Sequence, residues 1–389
     1  MPTPPDNRDR TNERAEITQI LSTDSVQLIA NENLDRAVLD APHADGELGW
    51  FQHYRVLAKL GEGGMGVVFR AEDTRLGRHV ALKVMSPKMA ADLVARKRFL
   101  REARAMAAIQ HEHVVVVYQV GLAKNETLGQ EVPFLAMQFL EGETLQERLI
   151  RADHLPARDA ARIGREIAEG LAAAHAQGLV HRDIKLSNVW LATPDDRVKI
   201  LDFGLACLLD DNSRLSRSGQ IIGSPYFMSP EQALGEPVDP RTDLFSLGCV
   251  LYALLAGAVP FEGATLSAVL KKLTSDEPPS LVERMPQTPS RLAGFIRSLM
   301  AKSRDNRPAS AQDAAAALAR IERECNRCGG KSGSSGGTPA AVREADPELP
   351  AAASGEPYPK HQREMSTQSA GASRKFRRFI RSIVRLGRR

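Results

Sequence analysis

The stretch HRDIKLSN, residues 181–188, and the stretch DFG, residues 202–204, decide how the rest of this chain is interpreted. Asp183, Asn188 and Asp202 supply oxygen atoms at short intervals within them. A carboxylate can orient an attacking hydroxyl, and amide and carboxylate oxygens are suitable ligands for Mg²⁺. The two stretches therefore indicate chemistry on a phosphate group, assisted by a divalent cation.

A glycine cluster, GEGGMGVV at residues 61–68, precedes these stretches. A dinucleotide-binding loop would open into a helix, but the following VVFRAE has the pattern of a strand. The cluster therefore predicts a hairpin that can lie over phosphates. Taken alone it is weak evidence, and an ordinary glycine-rich hairpin remains open as an interpretation.

A lysine and a glutamate that could form an ion pair lie between the glycine cluster and the HRD stretch. Lys83 ends the strand pattern VALK, and Glu102 lies in a helix that the periodicity predicts over residues 92–109. An ion pair between them would align the lysine with nucleotide phosphates, whereas a solvated lysine at a sheet edge is the simpler alternative. Four clusters in this order and spacing make a chance match negligible.

Together these residues resemble the signature of the bacterial eukaryotic-like, or Hanks-type, serine/threonine protein kinases. The resemblance covers a kinase domain at residues 51–325 and implies an α+β, two-lobed protein-kinase fold. We expect a small N-lobe at 54–137 with an antiparallel sheet and one helix, a hinge at 138–142, and a larger, mainly α C-lobe at 143–325. ATP would bind in the cleft between the lobes.

The resemblance also implies catalytic roles. Asp183 would be the catalytic base, Lys185 would steady the γ-phosphate, and Lys83, held by Glu102, would contact the α- and β-phosphates. The metal, Mg²⁺ or alternatively Mn²⁺, would be bound by Asn188 and Asp202.

The same resemblance implies a set of nucleotide-binding residues. They are expected to cover the phosphates and enclose the adenine, and they are Leu60, Gly61, Gly63, Gly66, Val68, Ala81, Lys83, Met137, Gln138, Phe139, Leu140 and Trp190. Trp190 stands where a smaller apolar residue often forms the floor of the adenine pocket. A stacked indole and a shallower cleft are expected there, unless Trp190 merely fills the core.

Lys185 resembles the serine/threonine branch of the family, since tyrosine kinases commonly have a different residue there. The segment GSPYFMSPE, residues 223–231, favours a protein substrate, because small-molecule phosphotransferases usually lack it. Ser216 and Ser218, in the loop at residues 208–224, resemble autophosphorylation sites of the family, and phosphates there would order this loop. Both could equally be plain polar loop residues. Structural roles are expected for three residues. Glu231 should pair with Arg307, and Asp243 should support the fold.

One position departs from the pattern within the HRD stretch. Leu186 stands where many relatives have proline, which should loosen the loop without removing a catalytic atom.

Composition bounds the flanking segments. Residues 1–50 are interpreted as a disordered N-terminal segment, residues 329–370 as a flexible linker, and residues 371–389 as a basic amphipathic tail with eight Lys or Arg and no acid. The tail suits an anionic membrane surface, an acidic protein or the kinase domain itself, with a solvated tail as the alternative.

The rest of the chain is mildly acidic, which argues against specific nucleic-acid binding. The four cysteines are too few and too scattered for a disulfide framework. No signal peptide or transmembrane helix is expected, so the predicted location is cytoplasmic, with peripheral association at the membrane through the tail as an option.

The sequence thus predicts a kinase that transfers the γ-phosphate of Mg-ATP to proteins, is activated by autophosphorylation and acts in intracellular signalling. The alternative from another class is a nucleotide-binding scaffold without turnover, against which the intact Lys83, Asp183 and Asp202 weigh heavily.

Overall fold

Alternating apolar side chains build the first half of the structure as an antiparallel sheet. The computed structural model describes residues 38–63, 65–125, 129–203 and 225–329. The predicted phosphorylation sites Ser216 and Ser218, residues 330–370 of the predicted linker and the predicted tail at 371–389 lie outside the described residues.

The N-lobe sheet has six strands in the order β1-β2-β3-β4-β6-β5, and every neighbouring pair is antiparallel. Its strands are β1 (Gly49–Phe51), β2 (Tyr54–Gly63), β3 (Gly66–Asp73), β4 (Arg78–Met85), β5 (Val117–Asn125) and β6 (Gln130–Gln138).

The start of the folded domain lies earlier than predicted. Val38 and Leu39 are buried, Asp40 bridges to Trp50, and β1 pairs with β2. The interpretation of residues 1–50 as disordered is therefore wrong for residues 38–50. The apolar positions here are too sparse to show a period, and their burial comes from packing against the sheet.

Two helices accompany this sheet, where one was predicted. α1 (Pro87–Ala91) is short, and α2 (Leu93–Ala107) agrees with the predicted helix. Asp92 caps α2 by accepting hydrogen bonds from the backbone N–H groups of Val94 and Ala95. Phe99 on α2 is fully buried between the helix and the sheet.

The C-lobe is mainly helical, as predicted, and also contains a three-stranded sheet in the order β7-β8-β9. The strands are β7 (Gly142–Thr144), β8 (Val189–Ala192) and β9 (Arg197–Ile200). The helices are α3 (Leu145–Ala152), α4 (Ala157–Ala176), α5 (Pro230–Leu234), α6 (Arg241–Ala256), α7 (Leu266–Ser275), α8 (Leu281–Arg284), α9 (Ser290–Leu299) and α10 (Ala311–Gly329).

Helix α6 is the centre of the C-lobe. Every residue from Thr242 to Leu255 is buried, as expected for a helix that is apolar on all sides. The last helix, α10, continues past the predicted boundary at Cys325, because no helix breaker occurs before Gly329. In the described part of the chain, no helix is both long enough and apolar enough to cross a bilayer.

Candidate active site

Asp243 of α6 binds the backbone at the start of the loop formed by residues 181–188. The fully buried carboxylate accepts hydrogen bonds from the backbone N–H groups of His181 at 2.8 Å and Arg182 at 2.7 Å, and His175 Nε2 lies 2.7 Å from it. Arg182 has a φ of +63°, a conformation that costs energy for a non-glycine residue. Gln232 Nε2 donates to the carbonyl of Arg182 at 2.8 Å. These bonds stabilise a strained backbone immediately before Asp183.

Asp183 is tied to two other predicted site residues. Lys185 Nζ lies 3.2 Å from Asp183 Oδ2, and Asn188 Nδ2 donates to the same oxygen at 3.0 Å and to the Asp183 carbonyl at 2.8 Å. The Asp183 side chain is one-fifth exposed, so it can be reached by a ligand while its orientation is fixed. Leu186, at the position usual for proline, is buried within this loop.

Strand pairing brings Asn188 and Asp202 together. Val189 of β8 lies opposite Ile200 of β9, and the N–H of Leu201 donates to the Asn188 carbonyl at 2.9 Å. An amide and a carboxylate, fourteen residues apart in sequence, therefore lie at the same end of this hairpin. Because the Asn188 N–H₂ group is engaged by Asp183, its amide oxygen faces away from that contact.

These donors fit a hard divalent cation. Asn188 and Asp202 offer amide and carboxylate oxygens, which Mg²⁺ prefers. Burial opposes ionisation of Asp202, but the charge of Lys83 and its hydrogen bond outweigh this effect, so the pKa of the carboxyl lies below its ordinary value. Asp202 is thus ionised at neutral pH, as a metal ligand must be.

Lys83 forms its ion pair with Asp202 and not with Glu102. Its ammonium lies 2.9 Å from Asp202 Oδ1, with 11% of the lysine side chain exposed. Glu102 lies on α2 with 13% of its side chain exposed, and its carboxylate is 3.9 Å from Arg101. The lysine contacts Asp202 instead, so the expected Lys83–Glu102 pair is not formed among the described residues.

The glycine cluster forms a hairpin, as predicted. Gly61 lies opposite Val68, and Gly63 lies opposite Gly66, in the β2–β3 ladder. A Cβ on Gly66 would lie 2.0 Å from the Val84 carbonyl oxygen, so only glycine allows the hairpin to approach β4 this closely. A Cβ at Gly61 or Gly63 would meet nothing within 4 Å, which leaves their outer surface open to a ligand.

Residues predicted to enclose the adenine lie on adjacent strands. In the β4–β6 ladder Ala81 is opposite Met137, and in the β3–β4 ladder Val68 is opposite Lys83. Residues directly opposite in an antiparallel pair share a face of the sheet. The sheet thus presents Val68, Ala81 and Met137 on the face that carries Lys83.

The hinge connects β6 to β7. Gln138 ends β6, and Leu140 packs partly buried against the core. Phe139 is contacted from outside by the guanidinium of Arg70, 5.1 Å from the ring centroid. At the end of the hinge, Trp190 Nε1 lies 3.3 Å from the Glu141 carbonyl oxygen. Leu60, by contrast, is 38% exposed on β2.

The predicted Glu231–Arg307 pair is present. Arg307 donates from both terminal nitrogens to the two oxygens of Glu231, at 2.7 and 2.8 Å. Burial opposes ionisation of Glu231, but hydrogen bonds from Arg307 and Thr242 outweigh it and lower its pKa to about 2. Ser229, where the family has alanine, caps α5 in a reciprocal arrangement with Gln232.

Two residues that support the site were not predicted from the sequence. His175 contacts Asp243 from 68 residues away, and Gln232 contacts Arg182 from 50 residues away. Neither belongs to one of the four clusters, and no local pattern distinguishes a supporting histidine or glutamine from a surface one.

The comparisons with known proteins agree with this geometry. The protein kinase domain model matches residues 54–318. The serine/threonine-protein kinase pkn2 of Myxococcus xanthus is 38% identical over 273 residues, which are 68% of this chain and 32% of the relative. The probable serine/threonine-protein kinase PknB of Corynebacterium glutamicum is 34% identical over 69% of this chain and 42% of the relative. The match thus spans about a third to two-fifths of the length of these two curated relatives.

Solved structures confirm the two-lobed fold. The kinase domain of Mycobacterium tuberculosis PknI matches with a TM-score of 0.56 and 28% identity, covering 72% of this chain and 98% of that domain. The family match extends over more than half of the chain and contains every catalytic and metal-binding residue predicted from the sequence. The resemblance to bacterial serine/threonine kinases is thereby confirmed, and the chain belongs to the protein kinase domain family.

Proposed function

We propose that this chain is an active serine/threonine protein kinase, which transfers the γ-phosphate of ATP to serine or threonine hydroxyls of proteins. The observation that carries the proposal is the joined set of Asp183, Lys185 and Asn188, linked by contacts of 2.8 to 3.2 Å. Asp202 follows β9 at the same end of the β8–β9 hairpin at which Asn188 precedes β8. A scaffold that only binds nucleotide would not need a carboxylate held in this way.

Asp183 is proposed to receive the substrate hydroxyl. Lys185 and Asn188 both engage Oδ2, which favours Oδ1 as the acceptor for the hydroxyl proton. As the hydroxyl oxygen bonds to the γ-phosphorus, the bond from phosphorus to the bridging oxygen breaks and ADP leaves with that electron pair. The hydroxyl proton passes to Asp183. Lys185, within reach of the same carboxylate, would steady the transferred phosphoryl group.

Lys83 is proposed to bind the α- and β-phosphates beneath the glycine hairpin. Its position on β4, directly opposite Val68, supports this role. Glu102 would serve as its partner if α2 and the lysine approached each other, in competition with the Asp202 contact described above. Gly61, Gly63 and Gly66 would bring backbone N–H groups close to the phosphates.

Asn188 and Asp202 would hold the divalent cation, Mg²⁺ or alternatively Mn²⁺. Such an ion neutralises charge on the phosphate oxygens when bound. The low pKa of Asp202 and the orientation of Asn188 support this assignment. The adenine would lie among the residues predicted for it, with Leu60, Val68 and Ala81 above and the hinge residues Met137, Gln138, Phe139 and Leu140 at its edge.

Regulation is proposed to act through the loop that precedes residue 225. Phosphates on Ser216 and Ser218 would offer negative charge to Arg182, and the new hydrogen bonds would order the loop. The support is their position in the sequence between DFG and the Ser-Pro-Glu motif.

The basic tail at 371–389 is proposed to bring the kinase to an anionic membrane surface or an acidic protein. Its eight basic residues and interspersed apolar residues support this. Co-sedimentation with vesicles of phosphatidylserine and phosphatidylcholine, compared for the full chain and a chain ending at residue 370, tests it. Equal binding of both chains would contradict the role of the tail.

The decisive experiment for activity measures label transfer from γ-labelled ATP with Mg²⁺ to the protein itself and to a generic basic protein. Asp183→Asn should reduce transfer by more than a hundredfold while leaving nucleotide binding intact. Ser187→Ala, in the same loop, is the matched control and should retain activity. Tight Mg-ATP binding by folded wild-type protein without any transfer, even after treatment with an activating kinase, would favour the scaffold instead.

A further inference from the structure

Trp190 lies on the side of β8 that faces away from the C-lobe core. Its neighbours Val189 and Leu191 are 0% and 1% exposed and point into that core. Because side chains alternate along a strand, the indole points to the opposite face. It shares this face with Thr144 and Lys199, which lie directly opposite Trp190 in the ladders with β7 and β9. The ring therefore lies on the outer face of β8, two residues beyond Asn188.

The indole is hydrogen-bonded to the backbone at the end of the hinge. Trp190 Nε1 donates to the Glu141 carbonyl oxygen at 3.3 Å, and the backbone N–H of Thr193 donates to the same oxygen at 3.0 Å. Residues 139–141 connect β6 to β7, so this carbonyl marks the point where the hinge joins the C-lobe. One donor lies on β8 and the other directly follows it, and together they fix that point.

Gly142 permits this close approach. Its φ is +133°, and a Cβ there would lie 2.0 Å from the Leu191 carbonyl oxygen and 2.9 Å from Trp190 Nε1. Any other residue would push the hinge away from β8 and from the indole. A glycine at 142 and a tryptophan at 190 therefore form one structural unit with the Glu141 carbonyl.

We propose that Trp190 is a hinge latch that presets the base-binding slot of the nucleotide site. By holding the Glu141 carbonyl, the indole keeps the hinge and β8 at one spacing before a nucleotide arrives. The face of the ring then forms the floor against which a purine base stacks. This inference rests on the proposed nucleotide site, but it concerns base binding and not phosphoryl transfer.

The latch predicts that the base contributes to affinity without a separate ordering step. A hinge that is already fixed loses little further conformational entropy on binding, and that saving appears as affinity. The saving applies only to ligands that carry a base. Inorganic tripolyphosphate, which would occupy the phosphate positions alone, should be insensitive to the latch.

The test measures binding of Mg-ADP and of Mg-tripolyphosphate to the full chain by calorimetry. Trp190→Phe keeps a flat ring but removes the N–H donor, and Trp190→Leu removes both. The ordering cost that the latch saves is limited by the energy of one neutral hydrogen bond, so its loss corresponds to about a 2- to 10-fold weaker affinity. Trp190→Phe should weaken ADP binding within this range, Trp190→Leu should weaken it further, and neither should change tripolyphosphate binding.

The outcomes separate clearly. Unchanged ADP affinity in Trp190→Phe would overturn the latch, even if Trp190→Leu bound ADP weakly, because stacking alone would then explain the site. An equal loss for ADP and tripolyphosphate would show general damage to the C-lobe and also overturn it. Because binding is measured, a kinase without turnover that gave the expected pattern would uphold the latch while contradicting the proposed activity.

Fluorescence provides a second readout, since the chain has only two tryptophans. Trp50→Phe leaves Trp190 as the sole emitter; Trp50 lies on β1, stacked on His43. Mg-ADP should change the emission of this variant, and tripolyphosphate should not. A spectrum that ignores ADP at saturation would mean that the indole does not contact the base.

Discussion

Glu231 and Arg307 form a doubly hydrogen-bonded ion pair across 76 residues of sequence, with distances of 2.7 and 2.8 Å. Both side chains are almost fully buried, and the hydroxyl of Thr242 donates to the same Glu231 at 2.7 Å. The pair joins α5 to the turn before α10. A buried charge that loses its partner is strongly destabilising.

Replacing one partner should therefore cost far more than replacing an exposed one. Arg307→Met is expected to lower the free energy of unfolding by about 3–5 kcal/mol, because it leaves the Glu231 carboxylate buried and unpaired. The measurement is chemical denaturation followed by circular dichroism. Arg297→Met is the matched control: Arg297 is 73% exposed and lies 3.4 Å from Glu277, so its loss should cost less than about 1 kcal/mol. Similar losses for both variants would contradict the prediction.

The same pair makes stability depend on pH in the acid range. The pKa of Glu231 is lowered from 4.5 to about 2 in the folded protein. A carboxyl whose folded pKa is depressed contributes stability above its unfolded pKa, and this stability is lost as the pH falls from about 4.5 towards 2. At neutral pH the contribution is about 3 kcal/mol by order of magnitude. Unfolding curves at pH 7, 4 and 3 should show this decline for the wild type and a smaller one for Glu231→Gln.

Asp243 offers a prediction about activity. Its two oxygens accept from the N–H groups of His181 and Arg182, so an asparagine would turn one acceptor into a donor that faces a backbone N–H. Asp243→Asn should lower kcat at least tenfold by misplacing Asp183, since small displacements of a catalytic group are costly. The KM for ATP should change little, because Asp243 lies beneath the loop and not in the nucleotide cleft. A change confined to KM would argue against this positioning role.

The sequence could predict those parts of the fold and site whose signals are local. The helix at 92–109 has its own period and cap, and the HRD and DFG stretches carry their chemistry in a few adjacent residues. The partner of Lys83 could not be predicted in this way. Asp202 and Glu102 are both plausible carboxylates in sequence, and only the three-dimensional structure shows that Asp202 lies 2.9 Å from the lysine.

The folded segment before residue 51 was missed for a similar reason. Strand β1 has only three residues, too few for a visible alternation. Phe51 is buried because its ring lies 5.3 Å from that of Phe134, a residue 83 positions further along the chain. A contact of this separation leaves no mark in the local pattern, whereas the mixed polar composition of residues 38–50 favours disorder.

The packing of Phe51 on Phe134 predicts that β1 is an integral part of the N-lobe. Phe51 is 3% exposed, and truncating a buried phenylalanine typically costs about 3–5 kcal/mol. Phe51→Ala should lower the free energy of unfolding by that amount, as measured by urea denaturation. Leu48→Ala removes an apolar side chain that is 46% exposed in the same segment, and should change stability by less than about 1 kcal/mol.

A pair of truncated chains extends the same test. A chain that begins at residue 38 retains β1, and one that begins at residue 53 lacks it together with the buried Val38 and Leu39. The shorter chain should unfold at a lower temperature, because β2 becomes an edge strand and Phe134 loses a packing partner. Equal melting temperatures for the two chains, together with an unchanged stability of Phe51→Ala, would mean that residues 38–52 lie on the sheet without stabilising it.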